Sequence, residues 1–152
     1  MKFSPTETAI LDILQHDSAK SMANLADQLG MSSSTLWRKV QELENSGVIK
    51  ARVALLDAAK VGCKLTVLAA ITLRDHSEGT VNGFARLIMG RPEIVECHAT
   101  SGQADYSLKI RVADVEAYEQ FMTHTLLRSD YVREVQSSFV LKELKATTAL
   151  PL

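Results

Sequence analysis

Two stretches carry the side chains best able to do chemistry. In the first, Ser32, Ser33, Ser34 and Thr35 set four small hydroxyls in a row, followed by Trp37, Arg38, Lys39 and Gln41. If Ser32 caps a helix, the next three hydroxyls fill its first turn, where backbone N–H groups lack intrahelical partners and point outward. A phosphate fits such an end, and short hydroxyls reach phosphate oxygens or base edges without crowding the backbone. Arg38 suits a guanine edge or a phosphate, and Lys39 a phosphate. Trp37 is expected at the boundary, its ring packed on a neighbouring helix or wing. Lys20, Lys50 and Arg52 are expected to widen the cationic surface. The second stretch is Cys97-His98, a possible nucleophile and base. Adjacent residues on a strand point to opposite faces, which is poor geometry for that pair. His16, His76 and His124 are scattered without metal-ligand spacing, so neither an enzyme nor a metal site is expected.

The elements that must position the first stretch are helical. Ser4-Pro5-Thr6-Glu7 is a start signal in which Ser4 caps, Pro5 takes the first helical position and Glu7 completes a capping box. Ile10, Leu11 and Leu14 form the apolar stripe of that first helix. Ser21 is placed to cap a second, with Met22, Leu25, Ala26 and Leu29 on one face and Gly30 at its end. A third, with Leu36, Val40 and Leu43 inward, ends at Gly47. Three short helices with a Gly-Met turn before the last make a helix-turn-helix.

Beyond Gly47 the period changes. Val48–Leu55 reads as extended, a wing or strand, and Asp57–Gly62 as a short helical turn or connector. Lys64–Arg74 is a β run, and Glu78–Met89 a helix carrying Val81, Phe84, Ala85 and Ile88. Glu93–Ser101 and Tyr106–Val112 are two strands around a turn. Asp114 caps a helix carrying Val115, Tyr118, Met122 and Leu126, and Val132–Leu141 is a last strand. The order βαββαβ predicts a four-stranded antiparallel sheet with both helices on one face. The fold class is α+β, divided into a DNA-binding unit (1–55), a connector (56–63), a βαββαβ unit (64–142) and a C-terminal tail (143–152). Helices cover one face of such a sheet, yet LTVLAAITL (65–73) is apolar on both, with Leu68 and Ala70 among threonines on the second. That second face is expected to be buried against another subunit.

Composition narrows the class. With 152 residues, 46% hydrophobic and 23% charged, the chain is an ordinary globular protein with enough length for a core or two. No apolar run reaches the roughly 18 residues of a membrane helix. MKFSPTE lacks a signal core, so a cytoplasmic location without a membrane partner is expected. A net charge of −1 offers no general attraction to nucleic acid, so any positive surface must be local. SLKIRVAD lacks the aromatics with which RNA-binding modules of the same fold stack bases.

The segments ANLADQLGMSSSTLWRKVQELENSGVIK (23–50), VALLDAAKVG (53–62), CHATSGQADYSLKIRVADVEAY (97–118) and SSFVLKELKATTALPL (137–152) together resemble the Lrp/AsnC family of transcriptional regulators. The resemblance covers essentially the whole chain. It implies an N-terminal winged helix-turn-helix and a C-terminal ferredoxin-like domain of the Lrp type. It further implies a homodimer joined through the sheet, assembling into a higher oligomer such as an octamer, and a two-fold double-stranded DNA operator. No cofactor is implied; a small effector, usually an amino acid, binds between dimers and alters assembly or DNA affinity. By position, Met22–Gln41 is the helix-turn-helix, with Ser32–Lys39 entering the major groove. The effector site falls on Thr100, Ser101, Gly102, Gln103, Ala104, Asp105 and Tyr106, with Ser137 and Ser138 contributing from the same or a neighbouring subunit. This chain departs from the family pattern in four places. Gln103 stands where many members carry an acid, Ser33 and Thr35 replace prolines, Ala19 replaces a basic residue, and Asp130-Tyr131 replaces Pro-Gly. The alternative is an effector-independent DNA-organising or assembly protein of the same fold.

Overall fold

The computed structural model describes residues 2–152. The chain divides into two units, Met1–Leu55 with Leu144–Leu152, and Leu56–Glu143.

The first unit is built from α1 (Pro5–His16), α2 (Met22–Gln28) and α3 (Ser33–Asn45). Each starts at the serine expected to cap it. Ser4, Ser21 and Ser32 accept the N–H of Glu7, Asn24 and Thr35, and Glu7 returns the bond to complete the capping box. The turn into α3 is a Schellman motif: Met31 N–H donates to Ala26 O at 3.0 Å and Gly30 N–H to Asp27 O at 3.2 Å. That geometry needs a left-handed residue, and Gly30 has φ +62°. Ile10, Leu14, Leu25, Ala26, Leu36, Val40 and Leu43 form one buried cluster joining the three helices. Most of the expected C-terminal tail, Leu144–Leu152, belongs to this unit. The side chain of Gln15 donates to Leu150 O at 3.1 Å and accepts Leu150 N–H at 2.8 Å. Leu152 lines a shallow hollow with Phe3, Pro5, Thr8, Ala9 and Asp12.

Val48–Leu55, expected as a wing or strand, forms no strand within this chain. Residues 51–57 have no regular structure and are exposed, because no other segment pairs with their backbone and an unpaired strand gains no ladder bonds. The connector is a turn over 58–62, with Val61 N–H donating to Asp57 O at 3.2 Å.

The second unit holds β1 (Leu65–Leu73), α4 (Glu78–Met89), β2 (Ile94–Ala99), β3 (Tyr106–Val112), α5 (Val115–Phe121) with a π-helical turn (Met122–Leu126), and β4 (Val132–Phe139). The sheet is antiparallel in the order β2-β3-β1-β4. Val67, Ala69, Ile71 and Leu73 are buried with Phe84, Ile88, Leu108, Ile110, Tyr118, Phe121 and Leu126 on the helix-covered side.

Two helical stripes differ from expectation. On α4, Gly83 is buried and Ala85 exposed, because the backbone of α4 lies close against the Tyr131 ring. On α5, Val115 is exposed while Phe121 is buried. Val115 is the first residue of α5, and the π turn widens the helical spacing only after Phe121.

The open side of the sheet is apolar only along its middle. Leu68 and Ala70 of β1 sit between Lys109 and Ser107 of β3 and Ser138 and Gln136 of β4. Lys109 pairs with Glu96 at 3.0 Å, so the apolar second face expected from β1 is an apolar stripe with polar flanks.

A Cβ on Gly83 would overlap the Tyr131 ring. Gly83→Ala is expected to destabilise the second unit by about 1–3 kcal/mol through overpacking, read as a lower midpoint in urea unfolding. An unchanged midpoint would show that the ring swings aside at no cost.

Candidate nucleic-acid interface and effector loop

On α3 the buried positions Leu36, Val40 and Leu43 fix which way the rest of the helix faces. At 100° per residue, Ser34, Trp37, Arg38 and Gln41 fall on the opposite arc, and Ser33, Ser34 and Arg38 are exposed. The hydroxyls at the helix start form a cluster. Ser32 Oγ lies 3.1 Å from Ser34 Oγ and 2.8 Å from Thr35 Oγ1, beside N–H groups that carry the positive end of the helix dipole. Trp37 is 58% exposed, with residue 37 at the edge of the outward arc.

The flanking cations divide into two groups. Arg52 is bound to Glu44 at 2.9 Å, and Glu44 also takes the Gln41 amide at 2.8 Å. Arg52 thus adds little net charge to the surface, and Gln41 is held by its own helix. Lys20 bonds the side-chain oxygen of Gln28 at 3.2 Å and keeps its charge. Among the described residues, Arg38, Lys39 and Lys50 form no ion pair within 4 Å, apart from a weak field of Lys39 on Glu7. The positive surface is therefore local, concentrated at Arg38 and its neighbours on a chain of net charge −1.

The loop between β2 and β3 is ordered by its own polar groups. Thr100 Oγ1 donates to Ala104 O at 2.6 Å, and Thr100 N–H to Asp105 O at 2.9 Å. Asp105 N–H donates to Ile71 O at 2.9 Å. The Asp105 carboxylate accepts Leu73 N–H at 2.7 Å on one oxygen, and lies 2.7 Å from His76 Nε2 on the other. These bonds hold its carboxyl below the usual aspartate range, His76 first and Leu73 N–H next, with a smaller part from the Arg133 charge. Tyr106 points to the covered side and packs its ring 4.8 Å from that of Phe84. Ser101, Gly102 and Gln103 form the exposed tip. Gly102 has an ordinary negative φ, and a Cβ there meets nothing within 4 Å.

Within one chain the two serines of β4 do not join this loop. Ser137 pairs with Ala69 on the covered side and bonds the Tyr118 hydroxyl. Ser138 pairs with Leu68 on the open side, three pairs along from the Ile71–Tyr106 pair beside the loop, roughly 10 Å at strand spacing. His76 was not singled out as a site residue in the sequence, since a histidine between a strand and a helix cap carries no motif. Cys97 and His98 pair with Leu108 and Ser107, hence on opposite faces, and burial pushes the Cys97 thiol up, away from the nucleophilic form.

Residues 3–50 match the family model described as winged helix-turn-helix DNA-binding, and residues 66–150 match the Lrp/AsnC ligand binding domain. The chain belongs to the Lrp/AsnC family. Among its curated relatives, the glutamate uptake regulatory protein of Zymomonas mobilis is 36% identical over 151 residues, covering 99% of this chain and 92% of the relative. An AsnC family transcriptional regulator from Agrobacterium tumefaciens superposes with a TM-score of 0.93 at 38% identity, over 98% of this chain and 97% of the other. A transcriptional regulator from Neisseria meningitidis, solved as a complex with L-Met, superposes with a TM-score of 0.95 at 32% identity, over 99% and 97%. This Lrp/AsnC chain is thus a transcriptional regulator with a DNA-binding helix-turn-helix and a family ligand-binding domain. Among the described residues no helix is long and apolar enough to cross a membrane.

The lowered carboxyl of Asp105 sets a pH dependence. A depressed folded value contributes stability that is complete above the ordinary aspartate range, about pH 3.9, and is lost as pH falls through the lowered value. The amide hydrogens of Leu73 and Thr100 are expected to stay protected at neutral pH and to exchange faster on acidification through that window. In Asp105→Asn their exchange should show no such acid step; an identical step in both proteins would place the titrating group elsewhere.

Proposed function

We propose that this regulator binds a two-fold operator as a homodimer, with α3 in the major groove and an amino acid at the β2–β3 loop tuning its assembly. The observation that carries the reading is the outward arc of α3, where Arg38 stands without an ion-pair partner among the described residues, beside the hydroxyl cluster of Ser32, Ser34 and Thr35 and the exposed Ser33. Arg38 takes a base edge or a phosphate, while Lys39 and Lys20 take phosphates. Trp37, left exposed, lies against the sugar-phosphate backbone, with Gln41 at the far end of the contact. In a dimer the separation of two such helices sets the half-site spacing. Like its relatives, the protein is read as a DNA-binding regulator rather than an enzyme, working in the cytoplasm.

The open-face stripe of exposed Leu68 and half-buried Ala70, with Lys109–Glu96 and Ser138 at its sides, suits a sheet-to-sheet contact between two copies. Dimers then assemble further into a closed ring such as an octamer. In the effector site, Ser101, Gly102 and Gln103 meet the ligand, Thr100 and Ala104 shape the turn, and Asp105 and Tyr106 hold it in place. Ser138 reaches the ligand from another copy, and Ser137 acts through Tyr118. The Neisseria meningitidis relative was solved with L-Met, which makes an amino acid the class to test. The ligand works only through unequal affinity for the two assemblies.

Arg38→Ala is expected to weaken binding to a DNA fragment selected from random pools by about 1–3 kcal/mol, measured by fluorescence anisotropy, with sedimentation unchanged. Equal affinity would remove Arg38 from the interface. In sedimentation velocity with the twenty amino acids, at least one is expected to shift the size distribution. Gly102→Trp should abolish that shift while keeping the folded assembly, since the space around residue 102 is open. A size distribution unmoved by every amino acid would favour the effector-independent, DNA-organising reading.

A further inference from the structure

The segment between β1 and α4 contributes a group that neither the family models nor the motif reading assigns. His76 lies 29 residues from Asp105 in sequence, yet its Nε2 is 2.7 Å from Asp105 Oδ1. An ionised carboxylate only accepts, so the imidazole nitrogen facing it carries the proton and donates. The second oxygen of the same carboxylate accepts the N–H of Leu73, the last residue of β1. A carboxylate held at one oxygen alone can still turn about its terminal bond; held at both, it cannot. Asp105 also carries the base of the loop on its backbone, through Ile71 O and Thr100 N–H. The orientation of the Ser101–Gln103 tip is therefore referred to the end of β1 through one side chain, and that side chain is locked by His76.

We propose that His76 is a positioning residue for the effector loop: its bond to Asp105 fixes the loop in the form that receives the ligand. The inference rests on the reading of this loop as the effector site. His76 itself touches no ligand in this role. Its side chain is 74% exposed and is not a core residue, so its removal leaves no cavity. The other charged groups around the pair are Asp75, next in the chain to His76, and Arg133 of β4, whose charge acts on Asp105. Both remain when the ring is removed, so a substitution at 76 isolates the bond.

The test compares the wild-type full chain with His76→Ala and His76→Gln, the latter keeping a neutral N–H donor of similar reach. The twenty amino acids are titrated by calorimetry, and the one that binds the wild type best is carried to the variants. His76→Ala is expected to raise its half-saturating concentration about tenfold, the scale of one hydrogen bond to a charged group. His76→Gln should fall within about threefold of wild type. Unliganded His76→Ala should sediment as wild type, while its Leu73 and Asp105 amides exchange faster. Wild-type binding that His76→Ala leaves unaltered, or tightens, overturns the positioning role while sparing the effector site. Failure of Gln to rescue a weakened Ala variant also overturns it, since the donor would then not be what matters. Binding of no amino acid by the wild type overturns the effector reading, and this role with it.

Discussion

Everything in the second unit is counted from the two-sided pairing of β1. A strand hydrogen-bonded along both edges cannot slip by one residue without turning its whole buried set outward. Val67, Ala69, Ile71 and Leu73 are all essentially inaccessible, so the register is fixed by the core rather than by the loops. From it follow the facing of Leu68 and Ala70, the opposed facing of Ser137 and Ser138, and the place where the β2–β3 loop meets the sheet. The loop is not an appendage to this frame. Asp105 bonds the main chain of Ile71 and Leu73, so the frame ends in the same residue that begins the loop.

In the first unit the corresponding constraint is the Schellman turn at Gly30. It sets α3 directly after α2, and the three inward residues of α3 do the rest. A protein of nearly zero net charge can attract a polyanion only where its cations are not already answered. Glu44 answers Arg52 and leaves Arg38, Lys39 and Lys50 unanswered. The acidic residues of α3 stand toward its C-terminal half, where they oppose the helix dipole, and its first turn carries none, so the positive N-terminal end beside the hydroxyl cluster is left unneutralised by its own helix.

Where the sequence was readable, the physics was local. Helix starts were legible because a serine cap followed by a helical stripe depends on four or five consecutive residues. The strand order was legible from periods of two and 3.6 alternating along the chain. The facing of Ser137 and Ser138 was open to the same logic, since adjacent residues on a strand cannot share a face. What the sequence hid depended on distant partners. Val48–Leu55 has strand-forming composition, yet no second strand lies beside it. Ala85 has the right spacing on α4, but the Tyr131 ring claims Gly83 instead. The π turn that follows α5 leaves no mark in composition. His76 was invisible for the same reason, because its only meaning comes from a residue 29 positions away.

The return of Leu144–Leu152 to the first unit gives that unit a discontinuous sequence. Its helices come from the beginning of the chain, but part of its surface is supplied by the end, with Gln15 clasping the Leu150 backbone from both sides. The two units are accordingly joined by two covalent crossings rather than by a single hinge. Modularity in this chain is thus not a matter of cutting once. A chimaera that exchanges only the first 55 residues would bring in a foreign α1 while keeping the native C-terminal segment that Gln15 clasps, and the graft would have to match Gln15 or carry its own ending.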